Sequence, residues 1–458
     1  MFDLVPYNRR QWLKQSACGF GYMALANVLA QQQQRVHAGP LDPRAPHAEP
    51  KAKRVIFIFL QGSPSQLDTF DYKPRLQQDD GKVASADSGD PRKYLGSPWK
   101  FKQHGESGHW ISELYPNVAK HADKLCVLKS LVTDIPNHPQ AVLQMHTGSF
   151  RFARPSLGSW VVYGLGTENS ELPGFLALNA LTRVGGAQNY GNAFLPAAYQ
   201  ATRIGTEGQD IAKARISHIT NPRLNPKLQR QQLDLIQGLY KERTSPADID
   251  LEGVIQSYEL AFRMQGSVPK LFDLSTESQA TLDQYGIGQT QTDNFGRQCL
   301  LARKCSEAGV RFVEITSTGW DHHQNLRRNM TEGCGSIDQP IAALLSDLEQ
   351  RGLLKDTLVL FGGEFGRTAV AQNPDGRDHH IDGFSMWLAG GGVKPGISYG
   401  QTSEHGDKVV ENKMHIYDLQ ATLLHLLGLD HEKLTFQYSG RNFRLTDVYG
   451  SVVEDILA

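Results

Sequence analysis

Six short runs of mostly apolar residues recur along the chain between positions 55 and 388. They occupy residues 55–60, 125–131, 175–178, 310–315, 357–361 and 384–388. Apolar runs that do not alternate with polar residues are typical of strands buried on both faces of a parallel sheet. The pattern therefore predicts six buried strands, the first of which is Val55-Ile56-Phe57-Ile58-Phe59-Leu60.

The segments between these runs have helical character. Apolar residues are spaced three and four apart in residues 228–265 and again in residues 337–348, as expected for amphipathic helices. Strands that alternate with helices predict an α/β fold with a doubly wound, mostly parallel sheet flanked by helices. Residues 205–285 are interpreted as a mainly helical insertion, and the polar, glycine-rich residues 77–106 as a long surface loop.

Composition narrows the class of protein. The chain has 458 residues, of which 40% are hydrophobic and 21% charged, which suits a globular protein with a large core. The formal net charge of −1 gives no general basis for binding nucleic acid or an anionic membrane surface.

The amino terminus has the plan of a targeting segment. Arg9 and Arg10 precede a weakly hydrophobic, Gly- and Ala-containing stretch at residues 16–30, which resembles a twin-arginine signal peptide. An amphipathic first helix is the alternative. That stretch is too short for a stable membrane span, which needs about 20 apolar residues. We therefore expect export by the twin-arginine machinery to the periplasm or the outside of the cell.

Domain boundaries follow from this plan. We assign residues 1–34 to the signal peptide, residues 35–52, which contain four prolines, to an extended linker, and residues 53–458 to one domain.

Polar segments rich in glycine adjoin four of the predicted strands. Residues 61–68, 319–323 and 362–368 follow strands, and residues 376–380 precede the last one. In open parallel sheets, ligands bind in the crevice beyond the carboxyl ends of the strands. The sequence therefore predicts that the carboxylates and imidazoles of these segments gather at one edge of the sheet.

The residue types in these segments indicate a divalent metal. Asp321 and His323 can face one ion from an extended turn, and His379 and Glu364 are the next candidates. Mixed imidazole and carboxylate ligands suit zinc or manganese, with calcium as the less suitable alternative because it prefers oxygen ligands. Glu364 could instead be a buried partner of Arg367 or Arg377.

A second candidate region carries hydroxyl groups. It contains His146 and Thr147, and Ser156 follows a proline where a helix is expected to begin. A hydroxyl at a helix amino terminus near a metal could attack phosphorus or sulfur, whereas the alternative role of Ser156 is an ordinary helix cap. Arg151 and Arg154 could hold an anionic ester or lie on the surface.

Taken together, the motifs resemble domain of unknown function family 1501. The resemblance runs from about residue 53 to the carboxyl terminus. The motifs that carry it are the twin-arginine start, residues 61–71, 145–148, 319–321, 363–368, 376–379 and 417–428. The family is similar to the sulfatase-like branch of the alkaline phosphatase superfamily, which implies an alkaline-phosphatase-like fold.

The resemblance also implies roles for particular residues. Asp321, His323 and His379 correspond to one metal site, and Glu364 to the acidic half of a second. Two positions depart from the superfamily pattern, because Gln61 stands where a metal-binding acid is usual and Phe365 where a histidine is usual. The sulfatase signature that yields formylglycine is absent as well. Asp68 could replace the missing acid, or the site could hold a single metal.

The resulting hypothesis is an exported, metal-dependent hydrolase of sulfate or phosphate esters. Asp321, His323, His379, Glu364 and Asp68 are the candidate ligands, and Ser156, Thr147 and His146 the candidate catalytic residues. The alternative is a catalytically degenerate, sulfatase-like binding protein that recognises a sulfated or otherwise anionic polysaccharide.

Overall fold

The computed structural model describes residues 39–84, 92–214, 219–243 and 249–458. The proposed signal peptide, residues 1–34, lies outside these ranges. The strands in the described part are β1 Arg54–Gln61, β2 Phe101–His104, β3 His109–Ser112, β4 Leu125–Val132, β5 Phe175–Ala180, β6 Thr202–Thr206, β7 Phe312–Thr318, β8 Thr357–Gly362, β9 Gly366–Asn373, β10 Gly376–His380, β11 Phe384–Ala389, β12 Ile397–Tyr399, β13 Gln401–Thr402, β14 Val409–Glu411, β15 Met414–His415, β16 Phe436–Tyr438 and β17 Arg441–Phe443.

The α-helices of the same ranges are α1 Pro74–Gln78, α2 His138–Thr147, α3 Leu157–Leu165, α4 Pro226–Arg243, α5 Ile249–Phe272, α6 Gln279–Gln284, α7 Asp293–Glu307, α8 Leu326–Gln350 and α9 Ile416–Leu426. Short 3-10 helices connect several of these elements. None of the helices in the described residues is long and apolar enough to cross a membrane.

The main sheet has nine strands and is mostly parallel, as the apolar runs predict. Its order is β12-β4-β11-β8-β1-β7-β5-β6, and β15 also pairs with β4. Within the described residues β11 alone runs antiparallel to its neighbours, β4 and β8. The carboxyl ends of β1, β4, β7 and β8 therefore meet at one edge, where β11 begins.

Helices cover both faces of this sheet. Alternate residues of β1 point to opposite sides: Ile56 and Ile58 belong to the core shared with α7 and α8. Phe57 and Phe59 belong to the core shared with α2, α3 and α9. A strand buried on both faces needs apolar residues at every position, which explains the uninterrupted apolar run at residues 55–60.

The expected insertion is helical. Helices α4, α5 and α6 lie within residues 205–285, and α5 packs against the short helix Ala197–Tyr199 and against α7. The stretch interpreted as a surface loop, residues 77–106, differs in part from that interpretation. It contains the end of α1 and strand β2, which pairs with β3 in a hairpin. Phe101 of β2 stacks on Tyr72 at 4.8 Å between ring centroids and so holds the hairpin against the preceding segment.

The proline-rich residues 39–52 contain no helix or strand, yet they lie against the domain. The Arg44 guanidinium donates to Tyr199 Oη at 2.8 Å. The backbone N–H of Ala48 donates to the carbonyl of Gly428 at 3.0 Å, and that of Ala52 to Leu426 at 2.8 Å. These contacts hold the described part of the segment against α9.

Candidate metal centre

Four loops bring polar side chains together beyond the carboxyl ends of the central strands. His138 lies six residues after β4 ends, Asp321 follows β7, and Glu364 follows β8. His379 comes from β10, which pairs with β9 ahead of β11. The loop after β1 passes very close by, and a Cβ atom at Gly62 would lie 2.6 Å from the backbone nitrogen of Asp321. Only glycine fits at that position.

The centre of the cluster is one oxygen of Asp321. The Oδ1 atom lies 3.0 Å from Nε2 of His138, 2.9 Å from Nε2 of His323 and 3.2 Å from Nε2 of His379. His138, Asp321 and His379 form a group in which one donor atom of each residue lies within 4.8 Å of the others. The structure thus brings together Asp321, His323 and His379, and it adds His138.

The other ring nitrogen of each histidine is engaged by an oxygen. Nδ1 of His138 faces Glu364 Oε1 at 2.6 Å, and Nδ1 of His379 faces the carbonyl of Pro136 at 2.7 Å. Nδ1 of His323 contacts the amide oxygen of Gln372. A neutral imidazole that donates from Nδ1 keeps its lone pair on Nε2. With all three rings neutral, three Nε2 lone pairs and a carboxylate oxygen would face one another, an arrangement that a bound cation would stabilise.

These distances fit a tetrahedral ion. Two ligand atoms at about 2.0–2.1 Å from a tetrahedrally coordinated zinc are about 3.3 Å apart, close to the 3.0 and 3.2 Å that separate Asp321 Oδ1 from His138 and His379. Nε2 of His138 is buried, and its 3.0 Å contact with Asp321 Oδ1 is not aligned as a hydrogen bond. Imidazole nitrogens with one carboxylate suit zinc or manganese better than calcium.

Glu364 lies behind His138. Its side chain is fully buried; Oε1 accepts the backbone N–H of Gly62 at 2.9 Å as well as the contact from His138. Oε2 accepts the Ser63 hydroxyl at 3.1 Å. With both oxygens occupied, Glu364 orients His138, as carboxylates behind metal-binding histidines commonly do. Neither Arg367 nor Arg377 is its partner.

Ser63 fixes Glu364 in turn. Its hydroxyl accepts the backbone N–H groups of Glu364 at 2.9 Å and Phe365 at 3.1 Å. The residue has φ 53, a left-handed conformation that a non-glycine residue seldom adopts. Here the strain is offset by three hydrogen bonds of the hydroxyl in a buried position.

Arg367 contacts the same oxygen of Asp321 that the histidines face. Its buried guanidinium donates to Asp321 Oδ1 at 2.6 Å and to the carbonyl of Ser63 at 3.2 Å. Partial burial acts to raise the pKa of Asp321, but the imidazoles of His138 and His379 and the charge of Arg367 outweigh it. They hold the pKa of Asp321 well below its usual range, so the carboxylate is ionised at neutral pH.

His138 is poised between two carboxylates. Burial acts to lower its pKa, and Asp321 and Glu364 more than offset that effect, raising the pKa to about 8. Because a histidine ligand must be deprotonated, metal binding at neutral pH releases a proton from this ring.

The family to which the chain belongs is shown by a match along the whole domain. The family model described as "Protein of unknown function (DUF1501)" matches residues 52–457. The chain belongs to the DUF1501 family. No curated protein matches the sequence.

Solved structures similar to this DUF1501 chain are distant. A lipoteichoic acid synthase from Listeria monocytogenes is 9% identical with a TM-score of 0.36, and the match covers 91% of this chain and 80% of that one. A PsFucS1 sulfatase from Pseudoalteromonas sp. is 14% identical with a TM-score of 0.35, covering 90% and 72%. An alkaline phosphatase from the Antarctic bacterium TAB5 is 10% identical with a TM-score of 0.33, covering 83% and 99%. Similarity at this level transfers no activity.

Asp68 does not join the cluster in this DUF1501 protein. Both of its oxygens face Arg377, at 2.7 Å from Nε and 3.1 Å from Nη2, and both side chains are fully buried. The expectation that Asp68 replaces a missing metal ligand is contradicted by this geometry, because a buried carboxylate is stabilised by the guanidinium beside it.

The three candidate catalytic residues are also engaged elsewhere. Ser156 caps α3, accepting the N–H of Ser159 at 3.4 Å, which is the alternative role considered for it. The Thr147 hydroxyl donates to the carbonyl of Leu143 at 2.7 Å within α2. His146 is buried and pairs with Glu314 at 3.1 Å. None of the three belongs to the group of Asp321, so the structure gives no support for them as nucleophile or base.

Sequence reasoning missed His138 and Ser63. The rule that located the other segments, a polar residue in the loop after a predicted strand, also applies to Asn137-His138-Pro139 after residues 125–131. Ser63 carried no comparable signal, since its role depends on a backbone conformation and on contacts with residues 301 positions away.

Proposed function

We propose that this DUF1501 protein hydrolyses sulfate or phosphate esters with the help of one divalent cation. The observation that carries the proposal is the convergence of three imidazole Nε2 atoms on one carboxylate oxygen at the sheet edge. His138, Asp321 and His379 would hold the cation. A bound zinc or manganese ion polarises an ester oxygen and increases the acidity of water.

The remaining residues of the centre have supporting roles. Glu364 orients the His138 ring, and Arg367 holds the carboxylate of Asp321. His323 lies outside the three-residue group, and its side chain is the most exposed of the three histidines at 31%. In this proposal its Nε2 lone pair accepts a proton from the attacking water.

A binding protein without turnover is the second candidate. The engaged hydroxyls of Ser156 and Thr147 favour it, because they leave the centre without an obvious nucleophilic side chain. Such a protein would keep the cation and recognise a sulfated or anionic polysaccharide without cleaving it.

Metal analysis combined with ester turnover tests the proposal. Purified protein is expected to contain about one zinc or manganese per chain and to cleave 4-nitrophenyl sulfate or 4-nitrophenyl phosphate. His138→Ala with His379→Ala should remove both the metal and the turnover. The matched control is His405→Ala, a histidine that contacts a different carboxylate, Asp79, at 2.9 Å.

Three outcomes are distinguishable. Turnover that persists in the metal-free double variant would contradict the proposed centre. Stoichiometric metal without turnover of either ester would favour the binding protein. Loss of metal in the control variant would show only that any histidine substitution perturbs the fold.

We also propose that the protein is exported by the twin-arginine machinery to the periplasm or beyond. The paired Arg9 and Arg10 support this. Replacing both with Lys should retain the protein in the cytoplasm, and unchanged fractionation would contradict the proposal.

A further inference from the structure

A second cavity opens at the same edge of the sheet as the metal centre. Its volume is about 790 Å³, and it is lined by Asp134, by the loop between α2 and α3, by His415 and the start of α9, and by the loop that follows β17. His415 is level with Val132 at the carboxyl end of β4. A volume of this size can hold a drug-sized molecule or a few sugar rings.

One wall of the cavity is a stack of three rings. His415 stacks on Tyr417 at 4.6 Å between centroids and 23° between planes, and Tyr417 stacks on Tyr449 at 5.1 Å and 21°. Tyr449, which forms one end of the stack, is 57% exposed. An exposed aromatic ring at the end of a stack offers an apolar surface to a further ring.

The carboxylates that line the cavity are committed to the protein. Asp134 contacts His415 Nε2 at 3.1 Å, and Asp447 pairs with Arg441. Asp418 accepts two backbone N–H groups, from His415 and from Ser451, both at 2.8 Å. These contacts occupy oxygens of all three carboxylates, although only Asp447 faces a permanent cation.

The two arginines of the cavity are held less firmly. Burial lowers the pKa of Arg154, and Asp447 lies near enough to act in the opposite direction. Arg154 lies over the Phe443 ring at 4.1 Å from its centroid, and Arg151 over the Phe150 ring at 5.0 Å. Among the described residues, neither guanidinium makes an ion pair. A guanidinium stacked on a ring still presents its in-plane N–H groups, which suit bidentate binding of a sulfate or carboxylate.

We propose that this cavity binds an acidic oligosaccharide. A sugar ring packs against the exposed aromatic residues while its sulfate or carboxylate group meets Arg151 and Arg154. The hydroxyl groups of the sugar can donate hydrogen bonds to the carboxylates and backbone groups that also line the cavity.

The position of the cavity connects it with the metal centre. Asp134 lines the cavity, the carbonyl of Pro136 holds His379, and His138 belongs to the cation-binding group. One loop of five residues thus borders both. The further step, that this saccharide carries the ester cleaved at the metal centre, rests on the proposed function. Binding of the saccharide to the cavity is measured without turnover.

Isothermal titration with three matched tetrasaccharides tests the inference. The probes are a chondroitin sulfate tetrasaccharide, its desulfated form, which keeps carboxylates only, and neutral cellotetraose. The sulfated probe is expected to bind at least about tenfold more tightly than cellotetraose, and the desulfated probe shows whether sulfate or carboxylate is preferred. Inorganic sulfate, as an anion without a ring, should bind at least about tenfold more weakly than the sulfated probe.

Variants locate the binding to this cavity. Arg151→Ala and Tyr449→Ala, both at exposed positions, are each expected to weaken binding of the sulfated probe about three- to tenfold. The matched control is Arg203→Ala on the edge strand β6, whose side chain is also exposed. Arg154→Lys keeps the charge and removes the fork, so it should weaken binding while the protein remains folded.

The results separate this inference from the proposed function. Binding that depends on Arg151 and Tyr449 upholds the inference even if no ester is cleaved. Turnover of 4-nitrophenyl esters with no binding of any tetrasaccharide overturns it, and so does binding that is unaffected by the cavity variants. Equal affinities for inorganic sulfate and the sulfated probe would show an anion site alone and also overturn it.

Discussion

The contact between Glu364 and His138 is the most informative single test of the metal centre. Glu364→Gln keeps the shape of the side chain and removes its charge. The glutamine oxygen can still accept from Gly62 and His138, but the amide group then faces the Ser63 hydroxyl, which already accepts two backbone N–H groups. The substitution therefore weakens the hydrogen bond that orients His138 and leaves one buried donor poorly satisfied.

The expected loss can be stated as a range. Substituting partners that orient a ligand histidine weakens metal affinity about 10- to 100-fold, which corresponds to about 1.4–2.7 kcal/mol. A buried polar group without a good partner costs the metal-free protein about 1–3 kcal/mol of unfolding free energy. Both losses should appear together, because the same carboxylate serves the ring and the loop after β1.

Zinc titration at a fixed pH, with the metal-free melting temperature measured in parallel, is the assay. Glu332→Gln is the control, since Glu332 is 63% exposed and pairs only with Arg328 one turn away on α8. If Glu364→Gln binds zinc as tightly as the control does, Glu364 does not orient His138 for metal binding. A fall in stability with unchanged zinc affinity would mean that Glu364 serves the loop and not the ligand.

Three further predictions concern the buried groups. Arg377→Leu leaves Asp68 buried without its partner, so denaturant unfolding should show a loss of about 3–5 kcal/mol; restored stability in Asp68→Asn with Arg377→Leu is expected, and its absence would argue against the pair as the cause. Ser156→Ala should cost about 0.5–1 kcal/mol as a lost cap and leave ester turnover unchanged, whereas abolished turnover in a folded variant would restore it as a nucleophile. Burial acts to lower the pKa of His146, but Glu314 outweighs burial and raises the pKa. The protonated ring therefore stabilises the folded state at pH 6, and this contribution declines as pH rises through the raised pKa. The gap in melting temperature between wild type and His146→Gln should narrow from pH 6 to pH 9, and a widening gap would contradict this sign.

The sheet could be predicted because its strands carry their own signal. Residues 55–60 and 358–361 are apolar at every position, and they lie in β1 and β8 at the centre of the sheet. The direction of a strand leaves no such trace. Residues 384–388 have the same apolar character as the parallel strands, so nothing in the pattern showed that β11 runs antiparallel.

The candidate site was predictable only in part, for a related reason. Asp321, His323 and His379 were expected together because each adjoins a predicted strand at the same edge. Which carboxylate pairs with which basic side chain depends on tertiary contacts that the sequence does not show. Asp68 and Arg377 are 309 positions apart. Because the two side chains pair with each other, Asp68 lies outside the metal centre, although its position after β1 predicted a place in it.

The long separations within the centre also bear on when a cation can enter. His138 and Glu364 are 226 positions apart, and Gly62 and Glu364 are 302 apart. Nascent chains or partly unfolded intermediates therefore lack this arrangement, and a cation could be bound at the proposed site only once the sheet is complete. A cation acquired at that stage binds the native state alone, so its concentration adds directly to resistance against unfolding. Metal supply in the compartment where the chain folds would then govern the lifetime of the protein as well as its chemistry.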